Sequence, residues 1–313
     1  MNNNIRSMIL HNSILRELFF FLKGKKVNRK KIDKKIKQLS TKQINRKSVL
    51  KNVIVSLTTY GERLYELQYT LYSLVSQTVL PEKIVVNLAK QDFANISETL
   101  KSFEKYGVVF IETEDLRSYK KLIPTINMYP GKFIVTADDD IYYPSKWLET
   151  LWSGHLKDPD CIVCHLTKKI EYIDNKLLPY KYWNYNKSDT EPLFSNLILG
   201  GGGTVFPPTS FYKDVCKTEL FMKLAPYADD IWIYFMVVLN GKKIKQLPKP
   251  YINVKYVNPY REYGLRKGET LAQINVGQDK NDSQFKAIMD YYKINENDFI
   301  VFIKNENVLN FKE

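Results

Sequence analysis

Short apolar runs alternate with amphipathic stretches through the first half of this chain. Four runs are typical of buried strands, and they read NVIVSL from residue 52, KIVVNLA from 83, VVFIE from 108 and KFIVTA from 132. After the first run, residues 62–77 place leucines at helical spacing on one face, which predicts an amphipathic helix. A second helix is predicted around residues 96–106, where Gly107 ends it, and a short helix or turn over 118–129.

Strands that alternate with helices predict right-handed βαβ units. We therefore expect an α/β fold of the Rossmann-like type, with a mostly parallel sheet and flanking helices. In such a sheet ligands bind beyond the carboxyl ends of the strands, where Thr58, Glu112 and Asp138 should lie. The second half is less regular. It contains a glycine run at 200–203, a buried helix predicted at 228–239, where the segment is apolar all round, and a last helix predicted near 283–293.

The net charge of +13 is concentrated at one end of the chain. Residues 1–51 hold 15 Lys and Arg against two acids, Glu17 and Asp33, so this segment accounts for the whole excess. The rest of the chain is neutral, which argues against nucleic acid as its partner. We expect three parts: a basic amphipathic N-terminal extension over 1–51, an α/β body over 52–250, and a C-terminal loop and helix over 251–313.

The basic extension combines an apolar stripe with a polybasic run. The stripe recurs at helical spacing and consists of Leu10, Ile14, Leu18, Phe21 and Leu22. It is too short and too polar to span a bilayer, and no small-residue cleavage site follows it. The run KGKKVNRKKIDKKIK comes next, so we predict peripheral attachment to the anionic inner face of the cytoplasmic membrane. A solvated helical extension and a disordered basic arm are the alternatives.

The chain has three cysteines, an odd number that does not suggest a disulfide framework and fits a reducing cytoplasm. The sequence CIVCH at 161–165 matches the C-x-x-C-H pattern of haem attachment. In an extended segment, however, Cys161 and Cys164 would point to opposite faces. The prediction is therefore buried strand cysteines without haem.

Three consecutive acids, Asp138, Asp139 and Asp140, follow the fourth predicted strand. Carboxylates this close repel one another and raise one another's pKa values unless a cation holds them ionised. Their hard oxygen ligands suit Mg²⁺ or Mn²⁺. The alternative is a solvated acidic turn that caps a helix beginning at Pro144.

Five segments along the chain share an order with one enzyme family. They are VSLTTYGER, SYKKLIPT, TADDDIYYP, GGGGTVFPP and APYADDIW, and together they span roughly residues 52–240. This order resembles the bacterial GT-A type glycosyltransferases related to family 2, in which a DxD motif holds a divalent metal on a nucleotide-sugar diphosphate. The resemblance implies that Asp138 and Asp140 bind Mn²⁺ or Mg²⁺, with Asp140 the stronger ligand, and that Asp138 or Asp139 lies near the ribose.

The resemblance also implies nucleotide contacts outside the acidic triplet. Thr58, Tyr60 and Arg63 would form the pocket for the base and ribose, although helix capping and a surface arginine explain them equally well. Lys121 would pair with a phosphate or ribose oxygen. A solvated lysine is the alternative for Lys121, and Lys120 stays open as the true partner.

An acidic pair, Asp229 and Asp230, opens the predicted buried helix. In similar enzymes such a pair supplies the general base that deprotonates the acceptor hydroxyl. We assign the base to Asp230, with Asp229 capping the helix or binding the acceptor, and the implied single displacement inverts the anomeric configuration. The alternative is that both acids only complement the helix dipole.

Two further segments could serve the same site. The glycine run at 200–203 would let the main chain approach the donor sugar or the acceptor, or would simply form a flexible turn. Arg261, Arg266 and Lys267 in the C-terminal loop could close over a diphosphate, or stay solvated. Many such enzymes add a late metal-binding histidine, but no histidine follows His165 here, so water and phosphate would complete the coordination.

The resemblance thus implies a metal-dependent transferase with its nucleotide-sugar site in 52–250 and its acceptor side completed by 251–313. UDP is the favoured nucleotide, and the acceptor would be a hydroxyl of a bacterial surface glycan, lipid-linked or not, in lipopolysaccharide or capsule synthesis. One alternative is a nucleotidyltransferase acting on a sugar phosphate, against which TTYGER stands where a glycine-rich, lysine-bearing loop would be needed. Another is a non-catalytic basic protein that binds membrane or nucleic acid through 1–51.

Overall fold

The computed structural model describes residues 27–248, 255–259 and 280–306. The strands of the main sheet are β1 (Ser48–Thr58), β2 (Val79–Ala89), β3 (Val108–Thr113), β4 (Phe133–Thr136), β5 (Ile162–Cys164), β10 (Thr204–Phe206) and β11 (Ile244–Gln246). Two small sheets pair β6 (Thr167–Lys169) with β9 (Asn196–Ile198) and β7 (Tyr172–Ile173) with β8 (Lys176–Leu177). The order of the seven-stranded sheet is β11-β5-β10-β4-β1-β2-β3.

Helices of the described residues pack on both faces of this sheet. They are α1 (Arg29–Gln38), α2 (Thr41–Ile44), α3 (Leu67–Val75), α4 (Lys90–Phe93), α5 (Glu98–Lys101), α6 (Ile123–Met128), α7 (Trp147–Lys157), α8 (Thr218–Leu224), α9 (Asp229–Val238), α10 (Lys280–Tyr291) and α11 (Glu296–Asn305). Short 3-10 turns occur at Gly61–Tyr65, Glu104–Tyr106, Arg117–Lys121, Tyr180–Tyr182 and Gly200–Gly202.

The predicted α/β class is confirmed, because most strand pairs of the main sheet are parallel. β1 pairs in parallel with β2 and β4, β2 with β3, and β5 with β11. The exception is β10, which runs antiparallel between β4 and β5. Sequence periodicity did not reveal β10, since only three residues separate the glycine run from Pro207.

The four predicted strands are present, but two predicted helices are shorter than their patterns. The stretch 62–77 forms a 3-10 turn first, and its α-helix α3 begins only at Leu67. The stretch 96–106 contains the four-residue α5 and a second 3-10 turn. Gly107 ends this turn at φ +88, a left-handed conformation that glycine adopts without strain.

The apolar core has two parts, one on each face of the main sheet. Alternation along β4 shows the division, since Ile134 packs in the part that contains α9 and Val135 in the part that contains α3 and α7. The predicted buried helix is confirmed as α9, in which Trp232 and Phe235 have no exposed surface. The helix α9 contacts β9 and α10.

The N-terminal part of the chain that the structure describes packs against the α/β body. Val27, Ile32 and Ile44 are buried in the same core as α3, and Arg29 forms an ion pair with Glu66. The predicted boundary between residues 51 and 52 falls inside β1. The apolar stripe from Leu10 to Leu22 lies outside the described residues, and none of the described helices has the length and apolarity needed to cross a bilayer.

The C-x-x-C-H match lies at β5. Cys164 is a buried strand residue, Cys161 precedes the strand and is half-buried, and both thiols are free. His165 is buried, with its Nε2 atom 3.4 Å from the carbonyl oxygen of Trp147. Burial raises the pKa of Cys164 to about 12 and lowers the pKa of His165 to about 4.

Candidate active site

The acidic triplet lies at the edge of the sheet where β1 and β4 end. These neighbouring strands are parallel, so the residues that follow them meet at the same edge. Thr59 follows β1, and its hydroxyl donates a hydrogen bond of 2.5 Å to Asp139. Thr58 is the last residue of β1 and Asp138 lies two residues beyond β4, so both lie at this edge of the sheet.

Arg63 neutralises part of the triplet. Its Nη1 atom donates to Asp139 at 2.8 Å and to Asp140 at 2.9 Å, and its guanidinium lies 5.4 Å from the centre of the Tyr60 ring. Asp139 is buried, and the hydroxyl of Thr70 donates to its carbonyl oxygen at 2.7 Å. Burial raises the pKa of Asp139 to about 6, although Arg63 acts in the opposite direction.

These contacts separate the predicted nucleotide residues into two kinds. Arg63 and Asp139 bind each other, and the hydroxyl of Thr58 donates to the carbonyl oxygen of Asn87 at 2.8 Å, which ties β1 to β2. Tyr60 is instead 53% exposed, so its ring is open to a ligand at the first strand-to-helix turn. The ribose contact predicted for Asp138 or Asp139 stays a prediction.

Lys121, and not Lys120, reaches the acidic cluster. The Lys121 Nζ atom lies 3.0 Å from Asp229 and 3.4 Å from Asp138, whereas Lys120 is buried and pairs with Asp115. Burial by itself would lower the pKa of Lys121. The charges of the neighbouring carboxylates outweigh burial and raise this pKa well above its usual value, so Lys121 stays an ammonium ion.

Asp229 and Asp230 occupy the first turn of α9 and face the same lysine. The N-cap residue of α9 is Ala228, which offers no side-chain cap, so both acids lie within the first turn and not at the cap position. Asp230 accepts a hydrogen bond of 3.4 Å from the amide of Gly200. Burial raises the pKa of Asp230 to about 7, the charge of Asp229 adds to the increase, and Lys121 opposes it.

The glycine run lies directly against these charged groups. A Cβ atom on Gly200 would stand 2.6 Å from the Lys121 Nζ atom and 3.2 Å from Asp230 Oδ1. A Cβ atom on Gly201 would stand 3.3 Å from Asp138 Oδ2. The run therefore forms one wall of the cluster, in close contact with its charged side chains.

Sequence reasoning missed three residues that shape the site. Tyr143 accepts a hydrogen bond of 2.8 Å from the amide of Asp138, and its hydroxyl lies 3.4 Å from the carbonyl oxygen of Gly201. Asp92 is buried and accepts from the amide of Gly61 at 2.8 Å, which orders the turn that carries Tyr60. Asp92 follows β2 at the edge where ligands bind, so its position in the sequence could have marked it as a candidate site residue. Thr59 gave no such signal, because a threonine before a helix is common.

The cluster holds more negative than positive groups. Five carboxylates, those of Asp138, Asp139, Asp140, Asp229 and Asp230, surround two cations, Arg63 and Lys121. The raised pKa values of Asp139 and Asp230 have burial as their main cause and carboxylate neighbours as a further one. A divalent cation would offset this excess of negative charge.

The donor set fits Mg²⁺ or Mn²⁺ shared with a phosphate ligand. Over the described ranges, no group of three or more His, Cys, Asp or Glu side chains is arranged to hold a metal by itself. Mg²⁺ commonly takes one or two carboxylates and completes its shell with water and substrate phosphates. Asp138 and Asp140 are the two carboxylates predicted for this role. Arg261, Arg266 and Lys267 lie outside the described residues.

Comparisons with known proteins give matches only among solved structures. No family model matches the chain, and no curated protein matches it either. One matching structure is the 4-diphosphocytidyl-2C-methyl-D-erythritol synthase of Anaerococcus prevotii, with 17% identity, a TM-score of 0.44, and coverage of 72% of this chain and 97% of the other.

Two further structures match at similar levels. The first is a CMP:2-keto-3-deoxy-manno-octonic acid synthetase in complex with CTP, with 12% identity, a TM-score of 0.38, and coverage of 65% of this chain and 89% of the other. The second is the inositol-1-phosphate CTP transferase of T. maritima, with 11% identity, a TM-score of 0.41, and coverage of 72% and 97%. At these values no residue role passes from those proteins to this chain.

These findings correct the expected function. The expectation was transfer of a sugar from a UDP-linked donor to a bacterial surface glycan by a relative of glycosyltransferase family 2. Of the matching structures, two have CTP in their names and the third is named for a diphosphocytidyl compound. The predicted glycosyl transfer is therefore wrong, and the predicted lipopolysaccharide and capsule pathways are not supported.

Proposed function

We propose that this chain is a metal-assisted nucleotidyltransferase that joins a nucleoside monophosphate unit to the phosphate of a sugar phosphate. The observation that carries the proposal is the cluster of five carboxylates and two cations at the carboxyl ends of β1 and β4. Such an edge is where open α/β sheets bind their ligands. An excess of buried negative charge there favours a divalent cation, and the cation in turn favours phosphates.

Different residues would bind the metal, the phosphates and the base. Asp138 and Asp140 would hold Mg²⁺ or Mn²⁺, which when bound would offset the charge of the triphosphate and of the departing pyrophosphate. Lys121 stays protonated beside Asp138 and can donate to a phosphate oxygen. The exposed ring of Tyr60 offers a face on which a base can stack, and Arg63 holds the turn beneath it.

The proposed reaction forms one P–O bond and breaks another. A phosphate oxygen of the sugar phosphate attacks the α-phosphorus of the nucleoside triphosphate. The bond from that phosphorus to the bridging oxygen breaks, and pyrophosphate leaves with the electron pair. A phosphate monoester is largely ionised near pH 7, since its second pKa is about 6. No proton must then be removed from the nucleophile, and Asp230 need not act as a general base.

Under this proposal the acidic pair of α9 has a positioning role. Asp229 holds the ammonium group of Lys121, and Asp230 holds the amide of Gly200 in the glycine wall. The lysine lies between the first turn of α9 and the acidic triplet, since its ammonium group contacts both Asp229 and Asp138. A general base is needed only when the acceptor is a hydroxyl, so the base role predicted for Asp230 has no place in this reaction.

Product analysis tests the proposal. Purified protein is incubated with CTP, UTP, GTP or ATP and a panel of sugar 1-phosphates, with Mg²⁺ or Mn²⁺ or with chelator. We expect metal-dependent release of pyrophosphate and formation of a nucleotide sugar. Asp140→Asn should abolish both, whereas Asp160→Asn, at an exposed position outside the cluster, should not. Release of a nucleoside diphosphate from nucleotide sugars, with no pyrophosphate from any triphosphate, would overturn it.

We also propose that an anionic membrane surface is a partner of the N-terminal part of the chain. Five lysines of α1 are exposed while Ile32 is buried against the body, so the helix presents a basic face outwards. The exposed lysines are Lys30, Lys31, Lys34, Lys35 and Lys37. Each basic residue near an anionic leaflet contributes about 1 kcal/mol to binding.

A further inference from the structure

The first residue of α1 binds two segments that are distant in the sequence. The Arg29 Nη2 atom donates to Glu66 Oε1 at 2.8 Å and to the carbonyl oxygen of Val257 at 2.9 Å. Its Nε atom donates to the same carbonyl oxygen at 3.2 Å. Asn258 donates from its side-chain amide to Glu66 Oε1, also at 2.8 Å. Arg29 and Glu66 thus hold residues 257–258 between them.

The segment held in this way runs alongside residues 140–142, the acidic rim, which begins with the last residue of the acidic triplet. The amide of Val257 donates to the carbonyl oxygen of Asp140 at 2.7 Å, and the amide of Tyr142 donates to the carbonyl oxygen of Lys255 at 2.8 Å. Ile141 and Tyr256 form an antiparallel β-bridge between these two hydrogen bonds. Residues 255–257 therefore act as a short strand beside residues 140–142.

This arrangement is built into the core and does not rest on surface contacts alone. Val257 is 2% exposed and Asn258 is 3% exposed. Val257 packs in the same apolar part of the core as Val27 and Ile32, which flank Arg29. The guanidinium of Arg29 also lies 5.3 Å from the centre of the Tyr69 ring on α3. Several independent contacts thus fix where the segment 255–258 lies.

We infer that Arg29 and Glu66 are positioning residues for Asp140. They hold the segment 255–258, the segment holds the main chain of residues 140–142, and the main chain sets where the Asp140 carboxylate stands beside Arg63. The consequence for metal–nucleotide binding rests on the function proposed above. The N-terminal basic helix is accordingly part of the binding site's framework as well as a surface element.

A purely structural role is the competing explanation, and matched variants separate the two. Arg29→Met removes the hydrogen bonds to Val257 and Glu66 but keeps most of the side-chain volume. Arg29→Lys keeps the charge, yet an ammonium cannot reproduce the planar, multiple donation of a guanidinium, so it should restore only part of the effect. Lys30→Met is the control, because Lys30 is exposed on the same helix and no contact from it to this segment is seen.

The first measurement does not depend on any activity. Amide hydrogen exchange is followed in the full-length wild type and the three variants, without ligand. In Arg29→Met the amides of Tyr142 and Val257, which close the rim, should exchange faster, while amides of β2 and α9 keep their wild-type rates. Unchanged exchange at Tyr142 and Val257, or an equal increase throughout the protein, would overturn the inference.

The second measurement is binding of Mn²⁺ together with CTP and with UTP, by calorimetry. Loss of a residue that orients a metal ligand typically weakens metal affinity about 10- to 100-fold, and we expect Arg29→Met to fall at the lower end. Arg29→Lys should lie between, and Lys30→Met should match wild type. Wild-type affinity in Arg29→Met would contradict a positioning role. If the wild type binds no nucleotide at all, the proposed function fails, while the exchange comparison still decides whether Arg29 fixes the rim.

Discussion

The ammonium group of Lys121 lies 3.0 Å from the carboxylate of Asp229, and this ion pair joins the turn before α6 to the first turn of α9. Both side chains are largely buried, so their interaction is little screened by solvent. The pair therefore fixes one cation inside a cluster that otherwise repels phosphate.

The first prediction is that Lys121→Met weakens nucleotide binding while Lys120→Met does not. Hydrogen bonds to charged groups are worth about 1.5–3 kcal/mol, so the dissociation constant for Mg²⁺–CTP should rise about 10- to 100-fold in Lys121→Met. Lys120 is the matched control, because it pairs with Asp115 away from the cluster. Calorimetric titration measures both, and equal losses in the two variants would remove Lys121 from the site.

The second prediction separates two glycines of one run. A Cβ atom on Gly200 would push against the flexible end of Lys121, so Gly200→Ala should lower activity and leave the melting temperature nearly unchanged. Gly203 has φ +90, and a Cβ atom there would stand 2.5 Å from the Trp147 ring. Gly203→Ala should therefore destabilise the fold by about 1–3 kcal/mol or more. Urea unfolding and the pyrophosphate assay measure the two effects, and the reverse pattern would contradict this assignment.

The third prediction concerns the chemical nature of the acceptor. If the nucleophile is an ionised phosphate, Asp230→Asn should retain activity within about 10-fold, since an amide oxygen can still accept from Gly200. If the nucleophile is a hydroxyl, loss of a general base should cost about 10²- to 10⁴-fold. Initial rates with a sugar phosphate decide between these results. A loss of the larger size would contradict a phosphate nucleophile.

The fourth prediction is a pH dependence of stability that comes from the same cluster. In the folded protein the pKa values of Asp139 and Asp230 are raised to about 6 and about 7, mainly by burial, above the value of about 3.9 for an exposed aspartate. The folded state then binds more protons than the unfolded state in this range. Their contribution to the free energy of unfolding is therefore present below about pH 4 and is lost as the pH rises through 6 and 7.

Two measurements check this sign. Without metal, the free energy of unfolding of Asp230→Asn relative to wild type should rise between pH 5 and pH 8, because the variant lacks the titrating carboxyl. Mg²⁺ should stabilise the wild type more at pH 8 than at pH 5, since ionised carboxylates bind it better. Asp160→Asn provides the control in both series. A relative stability that is flat with pH would mean that Asp230 titrates as an ordinary exposed acid.

The sequence predicted the strands and the helix that carry the site better than the contacts between its side chains. Periodicity located the strands that end at Thr58 and Thr136 and the buried helix α9, because each is a continuous apolar run. It could not show that Arg63 supplies one of the cations required by the acidic triplet, since that pairing depends on how the turn after β1 folds back. It could not choose between Lys120 and Lys121 either, because neighbouring residues in an irregular turn differ only in direction.

The segment 255–258 shows a second limit of the sequence. Nothing in KYVN marks these residues as a strand partner of the rim, and their position depends on Arg29 and Glu66, which are remote in the chain. The same holds for residues 27–47, which were predicted as part of a basic amphipathic extension and which bury Val27, Ile32 and Ile44 in the core. Charge composition describes the exposed face of α1 but carries no information on its buried face.

The last prediction tests that exposed face as a membrane-binding surface. Reversing Lys34, Lys35 and Lys37 to Glu removes three of the outward charges of α1, each worth about 1 kcal/mol near an anionic leaflet. The affinity of the full-length variant for phosphatidylglycerol-containing vesicles, measured by flotation, should therefore fall about 100-fold or more. Pure phosphatidylcholine vesicles should bind neither the wild type nor the variant. A variant with Lys90, Lys105 and Lys223 reversed has the same net charge and should float like wild type, because these exposed lysines lie on other elements. Equal losses in both variants would show that net charge alone drives association, and retained flotation in the α1 variant would place the membrane contact elsewhere in the chain.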